Sequence, residues 1–454
     1  MHKLLTDTPG EQMLLLGNEA IARGALEAGV AFATCYPGTP SSEIPENFLN
    51  ISRESDLYFE YSTNEKVAME VAAGAAVSGL RTMVTMKHVG LNVAADPLMT
   101  LAYTGIKGGM VIINADDPSL FSSQNEQDNR YYARLSGLPM LEPTNTQEMK
   151  DITVAAFDLS EKLELPVIIR TTTRLAHIRG AVRLGALKPI QTKAHFEKNP
   201  FRFATVPAVS RNLHKLLVEK YDQAAEKSDS GPYNRIIGDG KWGIVANGVS
   251  FNYVNDAVSD LGIKDKVSIL KLGFSWPLPE ALCIRFLKGV DKVLVVEELD
   301  PINEIALKAM AQENGISISI NGKGTGAFPV SMSTIPGWSA RRLLNASVST
   351  PHRLKCSTPR ISQNSREGRP TSVQDAPTGQ PTMRSSRFTA QTPSTLRISA
   401  VIPWGYCRPS PWPILSSAWA HLSVPGAGFP GPRTRRSCHS SAIPLFFTPA
   451  LPGS

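Results

Sequence analysis

Val30-Ala31-Phe32-Ala33-Thr34-Cys35-Tyr36-Pro37-Gly38-Thr39-Pro40 reads as a short buried strand that runs into a turn. Seven uncharged residues suit a strand covered on both faces, and the Pro-Gly and Thr-Pro pairs stop it. On its amino side, Asn18 to Gly29 reads as an amphipathic helix closed by glycine. On its carboxyl side, Glu65 to Gly79 reads as an Ala-rich helix whose small residues permit close packing, and Thr82-Met83-Val84-Thr85-Met86 as the next strand. Gly109-Met110-Val111-Ile112-Ile113-Asn114-Ala115 follows and ends in an acidic loop at Asp116-Asp117. Leu165-Pro166-Val167-Ile168-Ile169-Arg170 closes the series. Helix and strand patterns in alternation predict a layered α/β domain with a mainly parallel sheet over residues 10–185.

Residues 186–235 are polar and charged without sustained periodicity and read as a connector. A second α/β domain is expected over 236–330. Its strands are Trp242-Gly243-Ile244-Val245-Ala246-Asn247, Val267-Ser268-Ile269-Leu270-Lys271-Leu272 and Lys292-Val293-Leu294-Val295-Val296. After that the composition changes. Seventeen of the 34 prolines fall in residues 331–454, acids nearly vanish, and the expected state is a disordered Pro/Ser/Arg-rich tail. Trp338, Trp404, Trp412 and Trp419 do not suit such a tail. A shifted reading frame accounts for them: across residues 440–450 the codons permit a Gly-Asp-Ser motif in one alternative frame. Residues 331–454 are therefore expected to be out-of-frame translation, which sequencing the gene around codon 331 decides.

The net charge of +7 invites a nucleic-acid reading until the charge is located. Residues 331–454 hold 14 basic groups against two acidic ones, so residues 1–330 carry 33 against 38 and are mildly acidic. Nucleic acid is not expected as a partner. No run of 18 apolar residues exists, so no membrane span is expected, and the opening residues lack a signal-peptide core. Cys35 and Cys283 have no partner at metal or disulfide spacing. A cytoplasmic setting and no metal ligands in this chain are expected.

Six motifs in order carry a family resemblance. They are Leu15-Leu16-Gly17-Asn18-Glu19-Ala20, Tyr36-Pro37-Gly38-Thr39-Pro40-Ser41-Ser42, Asn64-Glu65-Lys66, Met86-Lys87-His88-Val89-Gly90-Leu91-Asn92, Ala115-Asp116-Asp117-Pro118-Ser119 and Val295-Val296-Glu297-Glu298-Leu299-Asp300-Pro301. Over about residues 15–330 the chain resembles the alpha subunits of indolepyruvate:ferredoxin oxidoreductases, within the thiamine-diphosphate-dependent 2-oxoacid:ferredoxin oxidoreductase family. The resemblance implies that residues 10–185 bind the aminopyrimidine of thiamine diphosphate and that 236–330 are like the transketolase C-terminal domain. The implied reaction is oxidative decarboxylation of an arylpyruvate such as indolepyruvate to an aryl-acetyl-CoA. Coenzyme A and ferredoxin are the implied acceptors, and a beta subunit is the implied partner. The family's Mg²⁺-diphosphate domain and its [4Fe–4S] domain have no counterpart in frame, so the chain alone is expected to be inactive. Two alternatives stay open: a subunit of another 2-oxoacid oxidoreductase or decarboxylase, or a non-enzymatic remnant that docks a beta subunit.

The same resemblance names residues. Glu65 matches the carboxylate that faces the pyrimidine N1′ and sets the tautomer of the coenzyme. Spacing alone offers a second reading, a capping box over Ser62-Thr63-Asn64-Glu65 with Glu65 at its third helical position. Tyr36, Pro37 and Gly38 are implied cofactor neighbours. Thr39 is the implied hydrogen-bond donor to the substrate, against a helix cap before Pro40. Lys87 and His88 follow a strand, where open α/β sheets place ligands, and offer a cation and a proton carrier, against a solvated loop pair. Asn92 is a plausible neighbour. Glu297 and Glu298 are expected to be structural.

Overall fold

The computed structural model describes residues 2–329; the expected tail and its shifted frame lie outside the described residues. In chain order the strands are β1 (Gln12–Leu16), β2 (Phe32–Cys35), β3 (Tyr58–Tyr61), β4 (Thr82–Lys87), β5 (Met110–Asp116), β6 (Met140–Leu141) and β7 (Val167–Thr172). They continue with β8 (Arg179–Arg183), β9 (Arg235–Ile237), β10 (Trp242–Asn247), β11 (Val267–Leu272), β12 (Phe274–Trp276), β13 (Lys292–Val296) and β14 (Ser319–Asn321).

Seven strands form the first sheet in the order β12-β6-β7-β5-β4-β2-β3. Every neighbouring pair is parallel except β12 with β6. All seven residues of β5 are buried, as expected of a central strand covered on both faces. The helices that cover it include Gly17–Glu27, Glu65–Val77 and Thr146–Leu163. Glycines with positive φ, Gly29 and Gly79, follow the first two, where an αL residue ends a helix without strain. The α/β class with a mainly parallel sheet is as the sequence predicts. Its boundaries differ in two places: β1 pairs only with β8, as a separate antiparallel ribbon, and β12 comes from beyond residue 236 yet joins the first sheet.

The second sheet has the order β14-β13-β10-β11-β9, parallel except for β9. Alternate residues of its central strands feed two separate cores, as the two-residue period of a strand requires. Val245, Leu270, Leu272, Val293 and Val295 pack under the helices Glu280–Gly289 and Ile302–Glu313. Ile244, Ala246, Ile269, Leu294 and Val296 pack under the helix Gly248–Asp260.

The segment read as a plain connector contains a 24-residue helix, Pro207–Ser230. Only Leu213, Leu217, Ala224 and Ser228 of it are buried. A stripe that narrow leaves the composition polar and hides the helical period. The expected acidic loop is corrected as well: Asp116 is the last residue of β5, and both it and Asp117 are buried.

Candidate functional site

Every residue singled out in the first domain lies at the carboxyl edge of the seven-stranded sheet. The chain leaves β2 toward β3 on one side and leaves β4 toward β5 on the other. The loops above β2 and β4 therefore part, and such a switch point is where open α/β sheets form their ligand crevice. The 36–42 turn stands over one side of it and Lys87 over the other. Gly38 is the point of contact, since a Cβ there would sit 2.9 Å from the Lys87 Cβ. Tyr36, Pro37 and Thr39 are exposed, while Cys35 just below is buried, which pushes its thiol up to about 12 and leaves it inert near neutral pH.

Glu65 opens the helix Glu65–Val77 as its first residue. The capping-box reading does not hold: Asn64 is the N-cap, its side chain accepting from the Val67 amide at 2.9 Å. Glu65 is thereby released from work at its own helix end. Its half-buried side chain makes no hydrogen bond to any described residue and lies over Gly90 of the helix His88–Val93. A Cβ on Gly90 would come within 2.6 Å of both Glu65 Cγ and Oε1. Glu65 and Gly90 thus fit as a carboxylate and its seat.

The alternative reading of Thr39 as a helix cap does not hold either. The next helix, Glu43–Ile51, begins after Ser42, so Pro40 is not its first turn and the Thr39 hydroxyl is not committed there. Lys87 ends β4 and donates from Nζ to the Ser122 carbonyl at 2.9 Å. His88 is fully buried rather than a loop residue. Its Nε2 lies 3.1 Å from Asn125 Oδ1, and its Nδ1 has no partner. Asn92 exchanges amide hydrogen bonds with Gln127, at 2.9 and 2.7 Å, and accepts one from the Tyr132 hydroxyl. Thr39 accepts at its carbonyl from Ser122 Oγ at 3.4 Å.

Sequence reasoning missed that residues 117–129 serve all four of these positions. The signal was present: eight polar residues, Ser122-Ser123-Gln124-Asn125-Glu126-Gln127-Asp128-Asn129, follow the carboxyl end of a buried strand. Asp117 starts the segment. Burial pushes its carboxyl up, but hydrogen bonds from Ser123, Thr173 and the Ser122 amide outweigh burial and hold it below the usual carboxylate range.

Glu297 and Glu298 lie in the second α/β unit, and both are buried. Arg130 donates to Glu297 Oε2 at 2.6 Å and to Asp128 Oδ2 at 2.6 Å. Arg170 bridges Asp116 and Glu142 at 2.6 and 2.7 Å. Burial raises the Glu297 carboxyl above its ordinary value despite Arg130. Among the described residues no group of three His, Cys, Asp or Glu side chains could hold a metal ion, and none of the helices is long and apolar enough to cross a membrane.

Comparison with known proteins gives the family and the fold. Residues 23–227 match the thiamine-diphosphate-binding family of pyruvate flavodoxin/ferredoxin oxidoreductases, and residues 233–314 match the middle domain of indolepyruvate ferredoxin oxidoreductase. The indolepyruvate oxidoreductase subunit IorA of Methanothermobacter thermautotrophicus is 48% identical over 332 residues, 72% of this chain and 53% of that protein. That of Thermococcus kodakarensis is 50% identical over 327 residues, 70% of this chain and 50% of that protein. The chain spans about half the length of these relatives. A solved 2-oxoglutarate:ferredoxin oxidoreductase from Magnetococcus marinus shares the fold, with a TM-score of 0.58 at 16% identity over 74% of this chain and 64% of that one. Through residues 23–314, then, the chain belongs to the alpha-subunit family of the indolepyruvate ferredoxin oxidoreductases.

Proposed function

We propose that this chain supplies the pyrimidine side of a thiamine diphosphate site in an oxidoreductase that decarboxylates arylpyruvates such as indolepyruvate. Residues 10–185 form that side, and 236–330 brace it. One observation carries the reading: the Glu65 carboxylate is free of helix capping, half-buried, and seated on a glycine at the carboxyl edge of a parallel sheet. When bound, the coenzyme supplies the ylid that attacks a 2-oxoacid. Glu65 holds the proton balance at the pyrimidine N1′. Tyr36, Pro37 and Gly38 flank the ring from the β2 turn. Thr39 donates its hydroxyl to the substrate carboxylate or carbonyl, Lys87 adds a positive charge beside it, and His88 and Asn92 shape the far side through the 117–129 segment.

In this reading Mg²⁺, the diphosphate anchor and the [4Fe–4S] clusters fall to other parts of the assembly, as the family resemblance implies. A beta subunit, ferredoxin and coenzyme A complete the reaction, in the cytoplasm. The chain alone does not turn over.

Saturation-transfer NMR on the chain with thiamine diphosphate tests the assignment, since it detects weak binding. Transfer to the aminopyrimidine protons is expected, and Glu65→Gln should abolish it while leaving the melting temperature within a few degrees. No transfer in the unaltered chain would favour a non-enzymatic scaffold that docks the partner subunit.

A further inference from the structure

We propose that residues 117–129 form a clasp over the candidate site and that Glu297 and Arg130 are positioning residues that hold it from the second α/β unit. Four candidate site residues meet this one segment. Lys87 donates to the Ser122 carbonyl, Ser122 Oγ donates to the Thr39 carbonyl, His88 meets Asn125, and Asn92 pairs with Gln127. Residues 117–129 form neither helix nor strand, so no ladder fixes them. Ser119 and Leu120 both sit in the left-handed region, at φ 73° and 57°, a conformation that side-chain-bearing residues keep only when their surroundings enforce it.

The enforcement comes from the two ends. At the near end the Asp117 carboxylate accepts from the Ser122 amide and from the Ser123 and Thr173 hydroxyls. At the far end Asp128 accepts from Arg130 Nε and Nη2 at 2.9 and 2.6 Å, and from the Asp300 amide at 3.1 Å. Arg130 also donates to Glu297 Oε2 and to the carbonyls of Glu298 and Asp300. Glu297 in turn accepts from the Asn303 and Glu304 amides, the first turn of the helix Ile302–Glu313, whose dipole favours an anion there. Asp128, Arg130 and Glu297 are all buried, and taking one charge from such a set leaves another unpaired away from water. The irregular segment is the part able to move in response. Behind it, Asn129 Nδ2 donates to the His88 carbonyl and to Asn114 Oδ1, so a shift at the clasp's far end reaches the start of the helix that His88 opens.

The functional weight of the clasp rests on Thr39, Lys87, His88 and Asn92 acting as proposed above. Amide exchange reads positioning without ligand or turnover, so failure there leaves the Glu65 experiment standing, and the reverse. Hydrogen–deuterium exchange by mass spectrometry is compared in the full chain, in Glu297→Gln and in Leu307→Ala. Leu307 is a buried residue of the same helix with no polar role, and its truncation loosens the second unit generally. Glu297→Gln is expected to speed exchange across 118–127 at least 10-fold and to speed acylation of Lys87 by an amine-reactive ester. Exchange within β4 and β5 should stay at the unaltered rate. Leu307→Ala should leave both the segment and Lys87 unchanged. Unaltered exchange at 118–127 in Glu297→Gln, or equal loosening in Leu307→Ala, overturns the proposal. If Glu297→Gln does not accumulate, Asp128→Asn, which keeps the Arg130–Glu297 pair, should give the same local pattern, and its failure to do so overturns the proposal equally.

Discussion

Gly90 has no room for a side chain, and the atoms that exclude it belong to Glu65. Alanine normally stabilises a helix interior by about 1 kcal/mol over glycine. Here the added methyl would occupy the place of Glu65 Cγ and Oε1, and the glutamate can leave by changing rotamer. Gly90→Ala is therefore expected to keep or raise the melting temperature and to weaken thiamine diphosphate transfer about 10-fold, as judged by the NMR experiment with calorimetry beside it. Lost stability with unchanged binding would mean that Glu65 is packing rather than a ligand group. Spacing alone left Glu65 evenly between a capping box and cofactor contact, and the family motif favoured the latter; the structure removes the capping box, since Asn64 is the cap. The hydrogen-bond partner that each candidate would find was not legible, because Ser122, Asn125 and Gln127 come together with Lys87, His88 and Asn92 only through the tertiary fold.

At the scale of elements, long segments with one strong pattern were readable and short or thinly patterned ones were not. The Ala-rich Glu65–Val77 helix and the apolar β4, β5, β7, β10 and β11 were found to within two residues or so. Strands β6 and β12, of two and three residues, are too short to show a period, and they exist because each completes the sheet edge of the other. The helix Pro207–Ser230 escaped for the opposite reason, being long but buried along only a narrow stripe. Leu217 belongs to the main core, and its side chain lies beside Gly137. Removing a buried leucine side chain of this kind costs about 2–3 kcal/mol, at the low end of the usual range because the helix borders solvent. Leu217→Ala should shift the urea midpoint accordingly without altering the slope. A change near zero would show that this helix is a tether and not part of the core.

Across the whole molecule, the proposed function asks the described residues for one side of a cofactor site only, with the cofactor's charge met elsewhere. On the proposed reading Glu65 faces the pyrimidine and Thr39 the substrate, while among the described residues no group of three His, Cys, Asp or Glu side chains could hold Mg²⁺. The net negative charge of residues 1–330 works against a diphosphate rather than for it. Most of the binding free energy of a charged cofactor comes from contacts to its charged end, so a site limited to the ring should discriminate little between the charged and uncharged forms. Thiamine and thiamine diphosphate are thus expected to bind this chain within about twofold of each other, and EDTA should change neither, in the same saturation-transfer measurement. Tightening of the diphosphate form by Mg²⁺, 10-fold or more, would point to an anchor within residues 331–454 and refute the shifted-frame reading of that stretch. Equality of the two ligands would instead assign the anchor to the half of the relatives' length that this chain does not match.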